Sequence, residues 1–113
     1  MKALKLILAI LFTGMLTSAF ASSDTLKIRT SAQCEDCKKR IENKLNYKKG
    51  VKNAVLDLKT KEVTIVYDLT KINPDKLRLA ISKIGYDADR LQADPKAYKK
   101  LPKCCQKAGM EGH

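Results

Sequence analysis

Along most of this chain apolar residues alternate with polar ones, then recur every four positions, then alternate again. Asp24 to Ser31 (DTLKIRTS) sets Leu26, Ile28 and Thr30 on one face, the period of a strand. After Ala32 and Gln33, the residues Cys37, Ile41 and Leu45 recur every four positions, with Lys38, Lys39, Arg40 and Lys44 off that stripe. This predicts an amphipathic helix from about Cys34, closed at Lys48-Lys49-Gly50. Alternation returns in Val51 to Leu58, where Ala54, Leu56 and Leu58 share a face. It continues in Glu62 to Asp68, where Val63, Ile65 and Tyr67 do, and Lys59 to Lys61 form the turn of a hairpin. Asn73 and Pro74 open a second helix as its N-cap and first residue. Leu77, Ala80, Ile81 and Ile84 line its apolar stripe, Gly85 ends it, and Tyr86 to Leu91 is expected as a short fourth strand.

The order strand, helix, strand, strand, helix, strand is two split β-α-β units. Right-handed crossovers place both helices on one face of a four-stranded antiparallel sheet. The expected fold is therefore an α+β, ferredoxin-like βαββαβ sandwich. Ile41, Leu45, Leu77, Ile81 and Ile84 are its expected core, with Tyr47 and Tyr98 as partly buried packing residues. Beyond it, Asp94-Pro95 reads as a further helix start, so Asp94 to Lys100 is expected to be a short third helix stopped by Pro102.

The ends differ from this pattern. Lys2 and Lys5 form a short positive segment, Leu4 to Leu16 is almost wholly apolar, and Ala19-Phe20-Ala21 is an A-x-A cleavage signature. That is the build of a secretory signal peptide. The run is short for a spanning helix, which needs roughly 20 apolar residues. The expected organisation is a signal peptide over residues 1–21, a domain over 22–91 and a Cys-containing extension over 92–113. The expected location is periplasmic or otherwise exported, with no stable membrane insertion after cleavage.

Charge changes the picture little. The chain has 23 Lys+Arg against 12 Asp+Glu, a net +11, and two of those lysines leave with residues 1–21, giving +9. Such a charge suits nucleic acid, an anionic surface or an acidic partner. Export and the scarcity of aromatic residues (two Phe, no Trp) argue against nucleic acid. No Ser/His/Asp set, paired catalytic carboxylates or phosphate-cradling glycine loop is present, so hydrolytic or phosphoryl-transfer chemistry has no residues to run on. The expectation is a binding protein and not an enzyme.

The chemistry lies in the cysteines. Cys34 and Cys37 are three apart at the start of a helix, where both sulfurs can face one ion and the positive helix end favours thiolates. Two soft thiolates with no further ligand suit Cu(I) and Hg(II), whereas Zn(II) prefers four ligands. A two-coordinate ion is open to an incoming thiolate and can be handed on through a three-coordinate intermediate. Glu35 and Asp36 between the two cysteines oppose thiolate formation.

Adjacent Cys104 and Cys105 close a strained ring if bridged to each other. Two readings of them stand side by side. In one the tail folds back and Cys104 or Cys105 completes a three- or four-thiolate site, with Zn(II) then possible. In the other the tail forms a disulfide to Cys34 or Cys37. Met110 and His113 are further candidate ligands in the same tail.

Ser31-Ala32-Gln33-Cys34-Glu35-Asp36-Cys37, the helix through Leu45, Gly50-Val51, the hairpin ending Val66-Tyr67-Asp68, and Ile84-Gly85-Tyr86-Asp87-Ala88 together resemble a heavy-metal-associated domain. The resemblance covers roughly residues 25–91. The family includes copper chaperones, metal-binding modules of soft-metal transport ATPases and the exported mercury-binding protein of mercury resistance. The resemblance implies a ferredoxin-like fold, metal binding by Cys34 and Cys37, and shielding or hydrogen bonding near the metal by Tyr86. Where the family has Gly-Met before the first cysteine, this chain has Ser31 and Ala32, which is expected to loosen the metal loop.

The function expected is that of a metallochaperone or scavenger. It would hold Cu(I) or Hg(II) on the dithiolate and pass it to an acidic transporter or metal-binding domain, acting as a monomer or a metal-bridged dimer. The alternatives are a thiol–disulfide redox protein and a structural domain stapled by disulfides. Against the redox reading, no Pro stands between the cysteines and no aromatic precedes them.

Overall fold

A computed structural model describes residues 22–106. The segment expected to be a signal peptide, residues 1–21, and Met110 and His113 lie outside the described residues. Strands β1 (Ser23–Arg29), β2 (Val51–Asp57) and β3 (Glu62–Asp68) form one antiparallel sheet in the order β1-β3-β2. Register brings the alternating positions into rows. Ile28 pairs with Val63 and Val63 with Leu56, while Leu26 pairs with Ile65 and Ile65 with Ala54. One face of the sheet is thus continuously apolar, which is the unit by which neighbouring strands stabilise each other.

Helices α1 (Glu35–Asn46) and α2 (Pro74–Lys83) bury their stripes in the same core: Cys37, Ile41 and Leu45 from α1, and Leu77, Ala80 and Ile81 from α2. The starts of α2 and of α3 (Pro95–Lys99) follow the capping residues. Asn73 Oδ1 accepts from the Lys76 N–H at 2.9 Å, and an Asp94 carboxylate oxygen accepts from the Ala97 N–H at 3.1 Å. Among the described residues no helix is long and apolar enough to cross a membrane.

Two expectations need correction. The described residues contain three strands, not four. Tyr86 to Leu91 contributes only single bridges, Ala88 to Thr30 and Ala88 to Leu91. Pairing stops because Asp89 turns the chain with φ 54°. Its side chain then does what a strand backbone would have done. The Asp89 carboxylate accepts from the Arg29 N–H at 2.9 Å and from Arg78 Nε at 2.8 Å, while the Asp89 N–H donates to the Arg29 carbonyl. The second correction is Tyr47, which is 90% exposed. It lies two residues past Leu45, some 200° round the helix from the buried stripe. Tyr98 is half-buried against the core, as expected, and Ile84 packs only at its edge.

The outer edge of β2 is closed by α1. Asn46 donates to the Ala54 carbonyl at 3.1 Å and accepts from the Ala54 N–H at 2.9 Å. Glu42 accepts from the Leu56 N–H at 2.8 Å, and Lys38, paired with Glu42, donates to the Leu56 carbonyl at 3.0 Å. Side chains at i, i+4 and i+8 of one helix thus satisfy an edge that would otherwise offer a template for another strand.

Candidate metal centre

The site sits where β1 runs into α1. Cys34 occupies the N-cap of α1 in extended backbone, and its carbonyl accepts the first helical hydrogen bond, from Lys38, at 3.1 Å. Cys37 follows one turn later on the buried stripe and is fully enclosed. Their sulfurs lie 3.1 Å apart. The loop before them is held on two sides. Thr30 Oγ1 donates to the Lys61 carbonyl and accepts from the Ala32 N–H, and Ser31 Oγ accepts from the Asp87 N–H at 2.9 Å. Ala32 itself is buried. Hydrogen bonds and a small enclosed side chain anchor the loop that was expected to be loose.

The segment after α2 returns to this loop. Gly85 reverses direction with φ 107°, and a Cβ there would meet the Ala97 backbone at 3.0 Å. Only glycine allows both the turn and that approach. Ser82 then tethers the outgoing chain: its hydroxyl donates to the Gln92 carbonyl at 2.7 Å, and its carbonyl accepts from the Asp94 N–H at 2.9 Å. After α3, Leu101 enters the core, and a 3₁₀ turn, Lys103–Cys105, carries the last two cysteines to α1. Cys105 is 1% exposed and Cys104 exposed.

The Cys105 sulfur lies 3.6 Å from that of Cys34 and 3.9 Å from that of Cys104. The sulfurs of Cys34, Cys104 and Cys105 all fall within 4.8 Å of one another. The Cys37 thiol points at the Cys104 carbonyl at 3.9 Å. All four cysteines are free thiols. The structure therefore brings together both cysteine pairs that the sequence singled out.

Charge around the thiols is uneven. Burial opposes ionisation of Cys34, but hydrogen bonds from the Cys37 thiol and amide and from the Cys104 and Cys105 thiols outweigh it, lowering its pKa from 9.0 to about 7. Burial, then the neighbouring Cys37, push Cys105 far up, and contact with Cys34 raises Cys104. Cys34 is thus more easily ionised, and Cys104 and Cys105 less easily, than an ordinary thiol. The Cys105 thiol also faces Asp36 Oδ2 at 3.8 Å, and Arg40 Nε holds the same carboxylate oxygen at 3.1 Å. Tyr86 is fully buried, its hydroxyl has no hydrogen-bond partner, and its pKa is driven up by burial and by the neighbouring Cys105 and Cys37. An unpartnered buried donor is costly, by about 1–3 kcal/mol. Beside sulfurs it is suited to donate to a metal-bound thiolate.

A profile of the heavy-metal-associated domain matches residues 31–87, half of the chain. The chain belongs to the heavy-metal-associated domain family. A copper-exporting P-type ATPase of Staphylococcus aureus (strain JH9) is 41% identical over 59 residues, which are 52% of this chain and 7% of the ATPase. The structure of a CopZ metallochaperone aligns with a TM-score of 0.56 at 29% identity, over 57% of this chain and 98% of that one. Oxidized MerP from Ralstonia metallidurans CH34 shares the fold, with a TM-score of 0.58 at 19% identity over 60% of this chain and 96% of that one.

The family match contains Cys34, Cys37 and Tyr86 and ends before α3. Cys104 and Cys105 lie outside it, on a segment that the heavy-metal-associated domain does not include. The sequence pattern named all four cysteines and placed Gly85 at the end of a helix, but it missed Leu101, the part Gly85 plays in seating the tail against Ala97, and the Asp36–Arg40 pair against Cys105. The apolar Leu101 just ahead of Pro102 and the two cysteines was the one available signal for a docked tail.

Proposed function

We propose that this chain is an exported soft-metal-binding protein that takes Cu(I) or Hg(II) on Cys34 and Cys37 and passes it on by thiolate exchange. The observation that carries the reading is the pair of sulfurs 3.1 Å apart at the N-terminus of α1, within a heavy-metal-associated domain. An arriving thiolate would bond to the ion as one protein sulfur leaves, so the ion is never released to water. The copper named in the S. aureus ATPase and the metallochaperone CopZ support this class of cargo.

The acceptor proposed is an acidic metal-binding domain or transporter. Arg40, Lys44 and Lys48 line a groove on the outer face of α1, and Lys83, Lys96 and Lys100 line its neighbour. Complementary charge of this kind speeds encounter. Lys38 and Arg40 are each engaged in an ion pair within α1, so Lys44, Lys48, Lys83, Lys96 and Lys100 carry the proposed contact.

Native mass spectrometry of reduced residues 22–113, titrated with Cu(I), Hg(II) and Zn(II) against a competing chelator, tests the binding. One tightly held Cu(I) or Hg(II), lost in Cys34→Ser and in Cys37→Ser, is expected; a protein that retains no metal sinks the reading. Turnover in insulin reduction would favour the thiol–disulfide alternative instead. N-terminal sequencing of the protein from an exported fraction should begin at Ser22, and an intact Met1 there would overturn the cleavage.

A further inference from the structure

Residues 92–106 form a built arm. It is fastened at Ser82, seated by α3 against Gly85, and pinned by Leu101 in the core. Gln106 closes its end by donating to the Leu101 carbonyl at 3.2 Å. This arm delivers one buried sulfur to the mouth of the dithiolate. A metal–sulfur bond of about 2.3 Å sets thiolates about 4.0 Å apart around a trigonal ion and about 4.6 Å apart on a linear one. Cys105 already stands 3.6 Å from Cys34, close to the trigonal spacing, and it is the Cys34–Cys37 pair, 3.1 Å apart, that would have to open to admit the ion. The buried Tyr86 hydroxyl makes no well-formed hydrogen bond and lies close to the Cys37 and Cys105 thiols. It marks the same spot independently of the sulfur distances.

Resting on the reading of Cys34 and Cys37 as metal ligands, we propose that Cys105 is a third ligand that converts the two-coordinate transfer site into a closed trigonal one. Cys105 is chosen over Cys104 because it is enclosed and next to Tyr86, while Cys104 is exposed. On loading, each of the three thiols bonds to the ion through sulfur and yields its proton to water. Arg40 holds Asp36, which limits repulsion between that carboxylate and the new thiolate. The arm then occupies the face through which an acceptor thiolate must approach. Hand-over requires the Cys105–metal bond to break as the acceptor–metal bond forms, so the protein retains its ion until the arm is displaced. A two-thiolate carrier releases to any acceptor of sufficient affinity, whereas this arrangement favours a sink or a gated donor.

The test is X-ray absorption at the copper edge on the reduced residue 22–113 protein loaded with one Cu(I), together with competition against bathocuproine disulfonate. Three sulfurs around copper in the wild type, two in Cys105→Ser, and an affinity lower by at least about tenfold in that variant, since a ligand counts for no less than an outer partner, are expected. Two sulfurs in the wild type overturn the inference and leave the dithiolate reading standing, a result that needs no variant to fold. Loss of a sulfur in Cys104→Ser but not in Cys105→Ser overturns the assignment of the ligand. A wild-type protein that binds no copper in competition overturns the dithiolate reading and this inference with it.

Discussion

The two cysteine pairs of this protein are placed by different means. Cys34 and Cys37 are positioned locally: an N-cap and the position one helical turn on bring two sulfurs together wherever α1 forms. Cys105 meets Cys34 across 71 positions of chain, and nothing local brings it there. It depends on the turn at Gly85, the tether at Ser82 and the burial of Leu101. A locally encoded pair survives loosening of distant parts, and a remotely delivered sulfur does not. The first pair can therefore serve as the constant of the site, and the second as the element that varies with the state of the arm.

The sharpest way to break this comparison is to remove the constant. Cys34→Ser should lower Cu(I) affinity by more than about 100-fold, since losing a ligand exceeds the 10- to 100-fold loss of an outer partner. Chelator competition measures it, and a change under tenfold would show that the tail alone can hold the ion.

Loosening the arm comes next. Leu101→Ala removes a buried side chain and should destabilise by about 2 kcal/mol, the low end for such a truncation because the arm lies at the core's margin. Denaturant unfolding reads the loss, and alkylation of Cys105 should accelerate in parallel. Unchanged protection of Cys105 would show that Leu101 does not seat the arm.

Gly85→Ala should cost about 1–2 kcal/mol, from the left-handed backbone and the collision with Ala97. Its effect should fall on the arm and α2 more than on α1, visible as faster amide exchange in residues 92–106. Asn46→Ala makes the contrasting perturbation. It removes both hydrogen bonds to Ala54 and should cost about 1 kcal/mol while leaving Cu(I) affinity within error; a loss of affinity would tie the β2 edge to the metal site.

A last contrast is the effect of pH on the metal-free protein. Cys34 ionises more easily folded, at about 7, than its ordinary 9.0. The linked stabilisation is complete above pH 9.0 and disappears as pH falls through about 7. The melting temperature of reduced wild type should therefore fall more than that of Cys34→Ser between pH 9 and pH 6, and parallel profiles would rule the linkage out.

Much of the framework was legible in the residues. Period-two runs located β1, β2 and β3 to within a residue or two, because one face of each had to be buried. Asn73-Pro74 and Asp94-Pro95 announced their helices, because those side chains satisfy free N–H groups at a helix start. The fourth strand was misread because Tyr86 to Leu91 has the composition of a strand, while the left-handed turn at Asp89 and its bonds to Arg29 and Arg78 involve partners far along the chain. Tyr47 was misread because aromatic character says nothing of direction round a helix.

By itself the sequence determined the order of the first five elements, the apolar faces they bury and the placing of two cysteines at the start of α1. All of these rest on interactions between residues close in the chain, where spacing is geometry. Only the tertiary structure decided that Cys105 stands beside Cys34, that Tyr86 is left with a buried hydroxyl facing sulfur, and that α1 side chains close the edge of β2. Each of those depends on how separate elements pack, and packing joins residues whose separation in sequence carries no distance.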